Sequence, residues 1–131
     1  MKSMFIALCL MAPSATAEDM DTKALELALR SDFDHSMARK LAQNCDDLAF
    51  DENGRRIYFL KLDGAFYRMG KSVTDWLGVR FSMQDYEPLN AEFAERHGDR
   101  VFLDRAVLCA AGRDEIDSQT GIGRMLKRVE E

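Results

Sequence analysis

Few side chains in this sequence can ligate a metal, exchange electrons or attack a substrate. There are three cysteines, at positions 9, 45 and 109, and two histidines, His35 and His97. The histidines stand far apart without HExxH spacing, so a metal site or a histidine base would have to be assembled wholly by the fold; both are read as solvated surface residues. The sequence contains no CxxCH, GxSxG or phosphate-loop pattern, and no cofactor is expected. Asp51-Glu52-Asn53-Gly54 resembles the middle of a calcium loop but fails at both ends, which leaves Asp46, Asp47, Asp51 and Glu52 as solvated carboxylates or, alternatively, a weak surface Ca²⁺ site. With Gly54 at loop position six, Ala49 and Leu60 fall where oxygen ligands are required. Carboxylates are plentiful, 23 Asp and Glu against 18 Lys and Arg. Paired acid–base hydrolysis of a glycan needs two of them at a set separation, which only a fold can supply.

The first seventeen residues read as a secretory signal peptide. Lys2 supplies the positive start, Met4–Ala12 is an uncharged apolar run, and Ala15-Thr16-Ala17 is a small–x–small cleavage site. The run is far short of the roughly 20 residues that span a bilayer. Cys9 would suit a lipoprotein, but Leu8 precedes it where a small residue is needed. Cleavage after Ala17 lowers the basic residues from 18 to 17 against 23 acidic ones, a balance of −6. A nonspecific nucleic-acid binder is excluded on that balance. Residues 18–131 are expected to form one domain, with 47% of the chain hydrophobic.

Cleavage also removes Cys9 and leaves Cys45 and Cys109, an even pair in an oxidising compartment, which reads as a disulfide. Two free thiols at a redox or metal site is the other reading. It lacks a CxxC and sets Cys45 beside Asp46 and Asp47, the wrong electrostatics for a reactive thiolate.

The elements that hold these residues read as helices, rich in Ala, Leu, Glu, Arg and Lys and without strand-like alternation. From Thr22 to Asn44, Leu25, Leu29, Phe33, Met37, Leu41 and Cys45 form an i+4 ladder. Each step turns about 40°, so the ladder winds through roughly 200°. Either two short helices meet near Ser31–Asp34, or one helix is wrapped on several sides. A second helix, capped near Asn53, gathers Tyr58, Phe59, Leu62, Ala65, Phe66, Met69, Val73, Trp76 and Leu77 into one arc, which predicts the central core helix ending at Gly70 or Gly78. Ser82-Met83-Gln84-Asp85 is a capping box for a third helix, with Pro88 either in a later first turn or at a kink. A fourth is expected from Asp104 to Ser118, with a last turn over residues 121–128. The predicted architecture is an all-α compact bundle of four to five helices stapled by one disulfide.

Opposite the main arc of the second helix, Ile57, Leu60, Gly64 and Tyr67 recur at i, i+3, i+7 and i+10. This is either a second packing seam, where Gly64 admits another helix, or an exposed patch that docks a partner.

Cys109-Ala110-Ala111-Gly112-Arg113-Asp114-Glu115-Ile116, followed by Thr120-Gly121-Ile122-Gly123-Arg124-Met125-Leu126-Lys127, resembles the closing signature of a family of small exported alphaproteobacterial proteins known as a domain of unknown function. Arg39–Cys45 is similar to its upstream cysteine helix. The resemblance implies an exported helical domain with a Cys45–Cys109 bridge, and no activity. Within the signature, Arg113 and Glu115 are the candidate ligand-binding residues. Arg113 either recognises a carboxylate or phosphate through its planar fork or makes a structural salt bridge beside the disulfide. The expectation is a periplasmic or secreted, non-enzymatic module that binds a protein or small ligand; the alternative is a small hydrolase of cell-wall or extracellular polymer.

Overall fold

The residues described in the computed structural model are 17–76 and 78–129. The expected leader, Cys9 included, and Leu77 of the second arc lie outside them, except that Ala17 opens the first helix. Five α-helices and one two-stranded sheet follow in the order α1 (Ala17–Asn44), β1 (Leu48–Phe50), α2 (Glu52–Arg68), a 3-10 turn (Val73–Asp75), α3 (Met83–His97), α4 (Arg105–Asp117), α5 (Gly121–Arg124) and β2 (Leu126–Arg128). The fold is all-α and stapled by a Cys45–Cys109 disulfide with a Cα–Cα distance of 5.5 Å. No helix among the described residues is long and apolar enough to cross a membrane.

The winding ladder is met by one uninterrupted helix of 28 residues that touches α2, α3, α4, α5 and β1. Phe33, Met37, Leu41 and Cys45 face the main core with Phe93 of α3, Leu108 and Ala111 of α4, and Ile122 and Met125 behind them. Toward the N-terminus the ladder has rotated away, and Leu25 is 44% exposed. There Ala24 and Ala28 face inward instead. Their small side chains let α2 approach with Leu62 and Phe66 to form a second, smaller core.

The second helical prediction is corrected at its cap and in its central role, while its end falls at the first of the two expected glycines. Its cap is Asp51, not Asn53: the Asp51 carboxylate accepts the Gly54 N–H, with the helix beginning at Glu52. The helix stops at Arg68, and Gly70 follows at φ +70°, a conformation glycine adopts without strain. Val73 and Trp76, which sit in phase with the arc, reach the same core by folding back through the 3-10 turn. Finally, α2 fully buries only Leu62 and Phe66, so the central helix is α1.

α3 begins at the expected Ser82 capping box, with Pro88 inside the helix rather than in a later first turn. The ring nitrogen of Pro88 cannot donate to the carbonyl of Gln84. Both residues are exposed, so water can satisfy that group. α4 is capped by Asp104, which accepts from the N–H groups of Ala106 and Val107. The sheet was not foreseen. β1 and β2 pair antiparallel, Leu48 opposite Arg128 and Phe50 opposite Leu126, and three residues per strand are too few to display alternation. Two glycines permit α5 to pack closely against α2 and α4. A Cβ on Gly54 would lie 1.9 Å from the Arg124 carbonyl oxygen, and one on Gly123 would lie 1.8 Å from that of Glu115.

Candidate functional site

Arg113 is part of the clasp that holds α4 to the end of α1. Arg105, Cys109 and Arg113 recur every fourth residue along one face of α4. Arg105 donates to the Asn44 carbonyl at 2.6 Å, Cys109 bonds Cys45, and Arg113 donates to Asp47 at 2.8 Å. The i+4 spacing thus meets Asn44, Cys45 and Asp47 where the chain leaves α1. Arg105 carried no signal in the sequence beyond this spacing from Cys109. Asp46 and Asp47 face these arginines, Asp51 caps α2 and Glu52 pairs with Arg55.

Glu115 is 1% exposed and lies two residues beyond Arg113, on the inward face of α4. Arg96 donates to its Oε1 at 2.6 Å and the His97 Nε2–H at 2.8 Å, both from the last turn of α3. The Thr120 hydroxyl, which caps α5, donates to Oε2 and accepts the Gly123 N–H. Burial pushes the Glu115 carboxyl up, but these three donors outweigh it and hold it below the usual carboxylate range. His97, expected in solvent, is therefore packed away: only 9% of its side chain is exposed, and its ring lies 4.6 Å from that of Phe93. Its Nδ1 looks toward Asp114 at 4.0 Å. Both ring nitrogens face carboxylates, so the histidine is engaged as a tie between α3, α4 and α5 rather than as a base poised on a hydroxyl.

A second, partly buried acid joins α1 to α2. Asp34 accepts the Tyr58 hydroxyl at 2.9 Å and packs beside Gly121. Burial drives its pKa up to about 6, and the Tyr58 hydrogen bond and Arg30 only partly counter that. Asp117, at the other end of α4, is paired with Arg128 at 2.9 Å.

The remaining candidates lie on the outer face of α2. Ile57, Leu60 and Tyr67 are 54%, 68% and 82% exposed, and beyond the helix's own backbone no atom of the described residues comes within 4 Å of a Cβ built on Gly64. No helix among the described residues covers the seam. Arg56, Lys61 and Arg68 flank it, are exposed, and have no ion pair among the described residues. Asp63 is the one acid on the same face.

The inner face of α2 borders a cavity that sequence reasoning missed. It is lined from α1 by Ser31, Asp32 and His35, from α2 by Phe59 and Phe66, and from the segment beyond by Trp76 and Phe81. The helical phase of Val73 and Trp76 concealed the turn that closes this space.

No protein-family model, curated protein or solved structure matches the chain.

Proposed function

We propose that this chain is an exported, non-enzymatic docking module that lays the outer face of α2 into an acidic, apolar-floored groove of a partner protein. The observation that carries the reading is the Ile57–Leu60–Tyr67 ridge, left exposed by the described residues and flanked by cations that have no ion pair among them. Anchors at i, i+3 and i+10 on one helix face suit helix-in-groove recognition, and Tyr and Arg are the residue types that dominate such contacts. Three cations against Asp63 select an acidic partner and oppose a second copy of this face, which would bring like charges together. The Cys45–Cys109 bridge and the resemblance of the two cysteine helices to an exported family support passage to an oxidising compartment. Docking is favoured over polymer hydrolysis because Glu115 is held ionised by three donors, Asp117 is paired, and the raised Asp34 is capped by Tyr58.

A photo-crosslinking residue placed at position 60 tests this in periplasmic extract. The expected result is a discrete adduct with one protein, linked at an acidic segment. It should disappear on charge reversal (R56E with K61E and R68E) and in high salt, with the melting temperature unchanged. An adduct at twice the chain's own mass, capture only on anionic vesicles, or no adduct overturns the proposal.

A further inference from the structure

The cavity behind α2 faces away from the docking ridge and carries its own chemical signature. Its volume is about 130 Å³, close to that of cavities of about 150 Å³ that take up a benzene-sized molecule. Beside it lies an unsatisfied group: the indole N–H of Trp76, a lining residue, is buried with no acceptor among the described residues, an arrangement native proteins rarely leave unanswered. Asp32 is the charged side chain of the lining. It accepts the Tyr86 hydroxyl on Oδ2 and keeps its second oxygen for another donor. His35 is kept neutral, because burial and the nearby Arg39 and Arg55 push its imidazolium below the usual range. Ser31 spends its hydroxyl proton on the Ala28 carbonyl and can only accept. The walls are aromatic: Phe59, Phe66, Trp76 and Phe81, with Phe66 and Trp76 stacked at 6.2 Å.

We propose that this cavity is a binding site for a small alkylammonium compound bearing one hydrogen-bond acceptor, of the choline and betaine class. The ammonium lies against Asp32 and the aromatic rings, which attract cations through their negative faces. The ligand oxygen takes the Trp76 N–H. An anion is opposed by Asp32, and a purely apolar guest would gain nothing from the second oxygen of Asp32 and would leave the indole N–H without a partner.

Trp76 is the chain's one tryptophan, so its fluorescence reports occupancy directly in the intact, disulfide-bonded protein. Choline is the probe, with 3,3-dimethylbutan-1-ol as its uncharged isostere and calorimetry as a second readout. Choline should give a saturable change, and the isostere should bind about tenfold more weakly or worse. Asp32→Asn keeps an acceptor for Tyr86 and should cost choline a similar factor while leaving the isostere unaffected. Failure of choline to saturate, as when the cavity holds only water, overturns the proposal. So does equal binding of choline and the isostere, a result that does not depend on any variant folding.

Discussion

Replacing Asp34 by asparagine should stabilise the protein at alkaline pH and leave it unchanged in acid. The carboxyl ionises near 3.8 when free and near about 6 in the fold, chiefly because burial disfavours its charge. Since the folded value is the higher one, the fold binds the proton more tightly than the unfolded chain does. Ionised Asp34 therefore costs stability above about pH 6, and the cost fades as pH falls toward 3.8. At about 1.4 kcal/mol per pH unit the full cost is about 3 kcal/mol. Asparagine removes the charge and still accepts the Tyr58 hydroxyl, so Asp34→Asn should gain up to that amount at pH 8 and nothing below pH 4. Urea denaturation at a series of pH values measures it, with the slope of unfolding held common to both proteins. A uniform loss of stability at every pH would refute the reasoning. It would mean that ionised Asp34 is held by its partners more firmly than burial penalises it.

Three further outcomes follow from the geometry. Glu115→Gln should cost about 2–3 kcal/mol at pH 7, discounted for the half-exposed Arg96. Because the native carboxyl lies below its usual 4.5, that difference should persist above pH 4.5 and shrink in stronger acid; chemical denaturation at pH 7 and pH 3 compares the two. Reducing Cys45–Cys109, which closes a separation of 64 residues, should lower stability by about 4 kcal/mol by chain entropy, a large share of a domain's total, read as a drop in melting temperature with dithiothreitol. Gly123→Ala should cost about 3 kcal/mol or more, since its Cβ would strike the Glu115 carbonyl, whereas Gly64→Ala, opening on empty space within α2, should gain about 0.5–1 kcal/mol; thermal melts followed by circular dichroism separate them.

Signals written into short stretches of chain were legible from the residues. The Ser82–Asp85 box and Asp104 cap their helices as read, since a cap is decided by a side chain and backbone within three positions of each other. The i+4 ladder of α1 correctly required several covering elements. The second helix was misjudged because Val73 and Trp76 keep helical phase by chance across Gly70, and periodicity alone does not register a chain reversal. β1 and β2 escaped notice because a three-residue strand has no period to detect.

By itself the sequence determined the helical class, the available cysteine pair and the apolar seam at positions 57, 60, 64 and 67, because each rests on residue type and local spacing. Only the tertiary structure decided that this seam stays uncovered, that Arg113 and Arg105 clasp the end of α1, and that His97 is drawn inside against Glu115. It also decided that Asp32, Trp76 and the α2 aromatics enclose a common space. Those outcomes depend on which distant segments pack together, and that is set by the whole chain's competition to bury apolar surface while satisfying its buried polar groups.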